Sequence, residues 1–180
     1  MAPRARLAVS TAPHSPYPPD ADGEPEAVTG PGDLVDAVVN DLDWANERIR
    51  GWSAVRAELG RCRLTGAELA EATIRDVAFD ECRIDLVGLR HARLERVAFR
   101  ACRLSECDFY GASLQDVLFE RCELREATFS ECKLHRVEFR GCDLRGLRGA
   151  EALRGARMLW NDVVENAPLF AAVLGIEVVE

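Results

Sequence analysis

A strict five-residue period runs through the middle of the chain. Every fifth residue from Leu64 to Leu144 is Leu, Ile or Phe, and the residue two places before each of them is Cys, Ala or Val. Side chains two residues apart point to the same side of an extended backbone, so both apolar positions of each pentad face inward and the other three face solvent. An α-helix repeats every 3.6 residues and does not produce this spacing. The pattern predicts an all-β solenoid in which each pentad forms one short side.

A second period of twenty residues is nested in the first. Reading every fourth pentad gives columns of a single residue type, one of cysteine and one of phenylalanine. The members of these two columns are Cys62, Cys82, Cys102, Cys122 and Cys142, and Phe79, Phe99, Phe119 and Phe139. Identity that recurs every four pentads indicates that residues twenty apart are stacked neighbours on consecutive coils. We therefore expect a four-sided solenoid with these residues in its structural core.

The repeating unit has the form A/C/V-x-L/F-x-x, as in CRLSE, CDFYG, ASLQD and VLFER. This unit resembles the pentapeptide-repeat family, and the resemblance extends from Cys62 to Leu144. It implies a right-handed quadrilateral β-helix. The chain departs from the family pattern because Cys and Val often replace the usual Ala two places before the centre. This departure fills the interior more and leaves the geometry unchanged.

Composition and phase divide the rest of the chain. Residues 1–32 are rich in Pro, Ala and acidic residues and lack the apolar stretch of a secretory signal, so we expect a disordered tail. A partner-binding arm is the functional alternative. Residues 33–61 fit either one amphipathic helix or an irregular, degenerate first coil that caps the stack, as terminal units of solenoids do. The repeat region itself is expected to cover residues 62–158.

Residues 159–180 are expected to form a short capping helix. Asn161 is a candidate N-cap, Pro168 suits the first turn of a helix, and Gly175 suits its end. One interpretation is that the helix covers the upper end of the core. The other rests on the family resemblance, since the terminal helices of some members dimerise, and it predicts a homodimer through the C-terminal helix.

All seven cysteines fall at inward positions of the repeat. No Cys-x-x-Cys pair and no Cys/His cluster has the spacing of a zinc site. Coils lie about 4.8 Å apart, which is within disulfide range, but parallel side-chain directions and a reducing cytosol argue against disulfide bonds. We interpret the cysteines as small buried apolar residues and expect a cytoplasmic protein that binds no metal.

No feature of the sequence indicates catalysis or a cofactor. The repeat contains no Ser/His/Asp set, no Gly-rich phosphate loop and no recognisable carboxylate pair. A smooth four-sided rod also offers no concave pocket of the kind that substrates need. No apolar run approaches the roughly 20 residues of a membrane span. We therefore predict no catalytic residues, no cofactor and no membrane contact.

The outward positions form columns of charge, of which two alternate in sign along the stack and a third changes sign once. The three columns are Asp76, Arg96, Asp116 and Arg136; Asp80, Arg100, Glu120 and Arg140; and Arg63, Arg83, Arg103, Glu123 and Asp143. Opposite charges on neighbouring strands stabilise by roughly 0.2–1 kcal/mol a pair, and exposed pairs lie near the lower end. The columns predict a self-neutralising surface that fixes coil register. Tyr110 is the aromatic residue of the repeat that points outward by phase, and it is a candidate contact residue.

The family resemblance implies one specific activity. Some members mimic DNA, bind type II topoisomerases such as DNA gyrase, and protect against inhibitors of these enzymes. Mimicry needs an acidic rod, because duplex DNA carries one negative charge per roughly 1.7 Å of axis. Residues 61–158, however, hold 18 basic and 17 acidic side chains, a net charge of +1. The net charge of −8 for the whole chain therefore comes from its two ends.

These observations favour a non-enzymatic scaffold that binds another protein. A DNA-mimicking inhibitor or protector of DNA gyrase, giving resistance to gyrase inhibitors, is the alternative, and a purely structural spacer is a third reading. Direct nucleic-acid binding is not expected, because the sequence has no basic stripe interleaved with aromatic residues.

Overall fold

The structure, a computed structural model, describes residues 13–19 and 32–179. Its main body is one parallel sheet whose seven strands follow one another in the order of the sequence. The strands are β1 (Leu34–Asn40), β2 (Ser53–Gly60), β3 (Thr73–Asp80), β4 (Arg93–Arg100), β5 (Ser113–Glu120), β6 (Lys133–Arg140) and β7 (Arg157–Met158). The predicted all-β solenoid is confirmed.

Strand partners from β1 to β6 lie twenty residues apart. Phe79 pairs with Phe99 on one side of the coil, and isolated bridges such as Arg63 with Arg83 continue the same register on the remaining sides. Each strand of β2 to β6 covers two sides and bends at its fourth residue. One coil therefore has four sides of five residues, as the two nested periods predict.

The corners of the coil have a fixed backbone conformation. Every fifth residue from 36 to 146 has a positive φ, and most of these residues are not glycine. Leu86 has a φ of 62° and Ala101 a φ of 49°, although residues with a Cβ avoid this region. Hydrogen bonds between coils impose it; for example, the Leu86 N–H donates to the Ser105 carbonyl over 2.9 Å.

The interior is filled by stacked side chains of one type. The Phe79, Phe99, Phe119 and Phe139 rings have successive centroids 4.9, 5.1 and 5.0 Å apart and lie within 9° of parallel. A second phenylalanine column lies on the opposite side of the coil. Its Phe109 ring meets the Phe119 ring edge-on, with centroids 6.2 Å apart. Rings in offset or edge-to-face contact stabilise each other beyond the burial of their area. The phenylalanine column therefore stabilises the packing of each coil against both of its neighbours.

The repeat register begins well before Cys62. Strands β1 and β2 pair Leu34 with Ala54, twenty residues apart, so the chain from 34 onward has strands rather than a helix. Trp44 and Trp52 are buried and meet edge-on, with centroids 6.1 Å apart. Glu47, which the phase places inward, is exposed. We therefore describe this stretch as the opening part of the solenoid.

The twenty-residue register ends after β6. Phe139 pairs with Met158 of β7, which is only nineteen residues further along. A 3₁₀ helix at Ala150–Leu153 lies between these strands and closes the last, incomplete coil. Gly149 precedes it with a φ of 74°.

Two short helices follow, α1 (Trp160–Glu165) and α2 (Ala167–Val173). The expected C-terminal helix is confirmed, and it is divided into these two segments at Asn166. Asn161 is not an N-cap: it lies inside α1, and Leu159 precedes that helix. Pro168 does lie in the first turn of α2, where its missing N–H costs nothing.

Candidate interaction surfaces

One corner of the solenoid carries a column of alternating charge in which each arginine pairs with the aspartate of the preceding coil. The guanidinium groups of Arg96 and Arg136 each donate two hydrogen bonds to the carboxylates of Asp76 and Asp116, over 2.5 to 2.9 Å. The column extends one pair further down, to Arg56 and Asp36. Bidentate pairs of this kind are the strongest of the ordinary ion pairs.

The carboxylates of Asp76 and Asp116 in this column are buried and ionised. Hydrogen bonds from Arg136 lower the pKa of Asp116 to about 2. At Asp76, burial raises the pKa of the carboxyl, but hydrogen bonds from Arg96 and from the Tyr17 N–H outweigh burial and leave the pKa below its ordinary value. The column therefore presents ionised carboxylates, each paired with an arginine, as hydrogen-bond acceptors at every second coil.

The neighbouring columns are more loosely paired. Arg100 lies 3.6 Å from Asp80, and Arg140 lies 4.0 Å from Glu120. On another side Arg103 lies 3.4 Å from Asp85. Exposed pairs at such distances contribute little to stability. These columns fit the predicted self-neutralising surface, and the tight column at Asp76 to Arg136 is distinct from them.

An extended stretch of the N-terminal region lies against this tight column. The N–H groups of His14 and Tyr17 donate to Oδ1 of Asp116 and of Asp76, over 3.2 and 3.3 Å. The prediction of a disordered tail over residues 1–32 concerns mostly residues outside those described. Within residues 13–19, the structure instead shows contact with the solenoid, which sequence reasoning did not anticipate.

Tyr110 lies half-buried on a different side of the coil. The Arg90 guanidinium lies 4.9 Å from the centre of its ring, and the His91 ring meets it edge-on at 5.7 Å. Arginine over a tyrosine face is a favourable contact. Tyr110 is thus packed against its own neighbours, and its role as a contact residue for a partner stays a prediction.

The cysteine thiols are hydrogen-bond donors as well as fillers of the core. Each thiol of the column lies near a carbonyl twenty-three residues earlier, as with Cys102 and Phe79 at 3.3 Å and Cys122 and Phe99 at 3.4 Å. Burial raises the pKa of Cys132 to about 12. All seven cysteines are free. A cysteine thiol is small enough for this inward position and donates a weak hydrogen bond to the carbonyl. An alanine at the same position could not donate this hydrogen bond.

The C-terminal helices close the last coil with polar side chains. Asp162 Oδ2 accepts from the Gly141 N–H over 3.0 Å, and Asn166 Oδ1 accepts from the Leu144 N–H over 3.3 Å. One coil earlier, the equivalent N–H of Leu124 donates to a carbonyl of the following coil. The two side chains therefore replace the carbonyls of a coil that is not there.

The outer surface of this end is apolar. Trp160 is 77% exposed and Leu174 is 73% exposed. The other large apolar residues exposed there are Leu159, Val164, Val173, Ile176, Val178 and Val179. Several large apolar side chains exposed on one short segment mark a contact site more often than a single exposed residue does. We name the set of Trp160, Val164, Val173 and Leu174 the apolar end.

The described part of the chain has neither a metal-binding cluster nor a membrane-spanning helix. No group of three or more His, Cys, Asp or Glu side chains there could hold a metal ion. No helix among the described residues is long and apolar enough to cross a membrane.

Comparison with known proteins identifies the repeat. A family model for a pentapeptide repeat region matches residues 52–129. Among solved structures, a pentapeptide repeat protein from the thylakoid lumen of Arabidopsis thaliana is 20% identical, with a TM-score of 0.52, over 63% of this chain and 77% of that one. This likeness concerns the fold alone.

Two further solved structures are similar to the chain with lower TM-scores. HetL of the cyanobacterium Nostoc, a pentapeptide repeat protein involved in heterocyst differentiation regulation, is 21% identical over 70% of this chain and 65% of its own, with a TM-score of 0.43. QnrB1, a plasmid-mediated fluoroquinolone resistance protein, is 16% identical over 78% of this chain and 100% of its own, with a TM-score of 0.35. None of the curated proteins matches the sequence.

Proposed function

This chain belongs to the pentapeptide repeat proteins, and we propose that it is a scaffold that binds another protein and catalyses no reaction. The observation that carries the proposal is the apolar end. Side chains such as Trp160 and Leu174, more than two thirds exposed, cost free energy in water that a protein contact recovers. Tryptophan is also among the residues most enriched at the energetic centre of protein interfaces.

A second copy of this chain is the first partner to test. The apolar end lies at one end of a rod, so a two-fold axis through it would pair two rods end to end, and two-fold dimers are the commonest oligomers. The helices α1 and α2 then have two roles. Their inner side closes the last coil through Asp162 and Asn166, and their outer side binds the partner.

Sedimentation velocity from 1 to 200 µM tests this contact. The full chain is expected to associate with rising concentration, and Trp160→Glu with Leu174→Glu is expected to stay monomeric with an unchanged circular dichroism spectrum. Glu165→Gln, a change on the same helix α1, is the matched control and should associate like the wild type. A wild-type chain that is monomeric at 200 µM would remove self-association as the role of the apolar end.

We place this activity in the cytoplasm. Seven free cysteines favour a reducing compartment, since disulfides form and persist in oxidising ones. Fractionation of the intact cell tests this placement, and recovery of the protein outside the cytosolic fraction would contradict it.

The gyrase-directed DNA mimic is the alternative function. It rests on the family resemblance, and the charge distribution opposes it, because the carboxylates of Asp76 and Asp116 are neutralised by bidentate arginines. A DNA supercoiling assay with purified gyrase decides between the two. If the chain binds a different protein, micromolar concentrations of it should neither inhibit supercoiling nor relieve fluoroquinolone action. Either effect would establish the mimic.

A further inference from the structure

The side of the solenoid next to the tight charge column contains a groove with a floor of apolar side chains. Ala78, Ala98 and Leu118 lie between inward-facing residues of strands β3, β4 and β5, so their side chains point outward. We name these three residues and the flanking charged columns, Asp76 to Arg136 and Asp80 to Arg140, the alanine groove. Sequence reasoning read only the charged columns and missed the apolar strip between them.

The floor of the groove is covered. Ala78 is 8% exposed and Ala98 is 1% exposed, yet neither belongs to the interior core cluster. The N-terminal stretch accounts for part of this cover, since Pro16 and Tyr17 line a cavity of about 110 Å³ together with Ala78 and Arg100. An outward alanine buried by a separate segment of chain is a contact surface.

The spacing of the contacts matches an extended proline-rich backbone. Asp76 and Asp116 lie two coils apart, or about 9.6 Å at the usual strand separation. The residues whose N–H groups bind them, His14 and Tyr17, are three apart, which is about 9.3 Å in a polyproline II helix. One turn of such a helix therefore spans one period of the charge column. The segment runs along the solenoid axis, across the strands, in the direction opposite to coil order.

The sequence of the segment suits this conformation. Of the residues 13–19, PHSPYPP, four are proline, and residues that precede proline are restricted to extended backbone. Only His14, Ser15 and Tyr17 keep an N–H group, and two of these three donate to the groove. A segment held extended before binding loses little conformational entropy when it docks.

The intervening arginine completes the site. Arg96 lies between the two carboxylates along the stack, holds Asp76 with two hydrogen bonds, and places its guanidinium 5.6 Å from the centre of the Tyr17 ring. A guanidinium over an aromatic ring is a favourable contact. The alternation of charge thus supplies acceptors two coils apart and a cation between them.

We propose that the alanine groove is a binding site for extended proline-rich protein segments, and that residues 13–19 of the same chain occupy it as an intramolecular ligand. A partner segment would need N–H groups three residues apart, with an aromatic residue at the second of them. It would have to displace the chain's own segment. The existence of such a partner rests on the proposed protein-binding function, whereas the intramolecular docking does not.

Amide hydrogen exchange measured by NMR on the full chain tests the docking. The His14 and Tyr17 amides are expected to exchange at least tenfold more slowly than in a synthetic peptide of residues 12–21. In the double variant Asp76→Ala with Asp116→Ala this protection is lost. Asp85→Ala, which removes a carboxylate that likewise accepts a backbone N–H and pairs with an arginine, should leave it intact. Equal exchange in the chain and the free peptide would overturn the proposal.

A second experiment does not depend on the stability of the aspartate variants. His14→Pro with Tyr17→Pro removes both donors from the segment while keeping it extended and leaves the solenoid unchanged. A fluorescent peptide of residues 12–21 should bind this full-length variant at least tenfold more tightly than the wild type, whose own segment competes at an effective concentration of about millimolar. The same peptide carrying both prolines should bind at least tenfold more weakly.

The outcomes separate the two proposals. Peptide binding that is absent from the open variant, or equal for the open variant and the wild type, contradicts the groove as a site and leaves the apolar end untouched. Peptide binding to the open variant, together with a full chain that neither self-associates nor binds any protein in trans, supports the groove as an intramolecular site and contradicts the proposed scaffold function.

Discussion

The regular coils and the C-terminal end are made of similar residues but are held together in different ways. From Cys62 to Leu144 each contact recurs twenty residues later. Each coil is therefore stabilised by the same kinds of contact with its neighbours as the coil before it. After Leu144 the spacing drops to nineteen residues at Met158, and single polar side chains of the helices take over the hydrogen bonds of the missing coil. Within the repeat, the same residue types stabilise every coil. The end of the solenoid depends instead on individual side chains that occur only there.

The largest expected difference between the two regions lies in their phenylalanines. Phe119 is fully buried and stacked on Phe99 and Phe139, so Phe119→Ala should lower the free energy of unfolding by about 3–5 kcal/mol. Phe170 of α2 is half-buried, and Phe170→Ala should cost about 1–2 kcal/mol. Urea unfolding followed by circular dichroism measures both. Arg100→Ala is the surface control, expected to cost well under 1 kcal/mol; equal costs for all three would contradict the inward and outward assignment.

The junction between the regions depends on one glycine. Gly149 has a φ of 74° and a Cβ built on it would overlap the backbone of Ser130, so Gly149→Ala should cost about 2–4 kcal/mol through overlap and backbone strain together. Gly155 has a φ of 83° with no atom within 4 Å of a built Cβ. Gly155→Ala should therefore cost only about 1 kcal/mol. If thermal melts showed the same loss of stability for both variants, overlap with Ser130 would not be the reason why position 149 requires glycine.

The side chain that closes the last coil should matter by an intermediate amount. Asn166→Ala leaves the Leu144 N–H without its acceptor, and an unsatisfied buried donor costs about 1–3 kcal/mol. The Leu144 amide should exchange faster by NMR while amides of β4 and β5 keep their rates. Asn161→Ala, at an exposed position of α1, is the matched control. Faster exchange throughout the solenoid would mean that the end and the coils unfold as one unit.

The smallest effect is a pH dependence that belongs to the regular coils. The pKa of Asp116 falls from an ordinary 3.8 to about 2 because Arg136 donates to its carboxylate. A lowered pKa in the folded state adds stability that is complete above about pH 4 and is lost as the pH falls toward 2. Asp116→Asn should therefore show a shallower decline in melting temperature between pH 4 and pH 2. Glu106→Gln, at an exposed corner, controls for net charge, and a decline unchanged in Asp116→Asn would contradict the assignment.

Those parts of the structure that repeat could be predicted from the sequence. The phenylalanine and cysteine columns and the alternating charges follow from the period of twenty, because a residue and its copy must occupy equivalent places. The opening coil was ambiguous, since Glu47 breaks the pattern, and there the structure turns this one side chain outward.

Contacts that occur once could not be predicted in this way. The hydrogen bond between His14 and Asp116 joins residues 102 apart, and no period relates them. One signal was present: Ala78, Ala98 and Leu118 are apolar at outward positions, where polar residues prevail elsewhere. The break between α1 and α2 at Asn166 follows from its buried contact with the last coil, which a helical pattern does not contain.

The central claim is that residues twenty apart are adjacent rungs of one stack. Duplication of residues 83–122 inserts two whole coils and keeps the order of every column, including the alternation of Asp116 and Arg96. Small-angle scattering measures the result on chains that also carry Trp160→Glu and Leu174→Glu, so that self-association does not add to the length. The duplicated chain should be folded, melt at or above the wild-type temperature, and be longer by about 9.6 Å, whereas a version of the insert shortened by two residues should lose stability. Equal length and stability for the two insertions would contradict the stack.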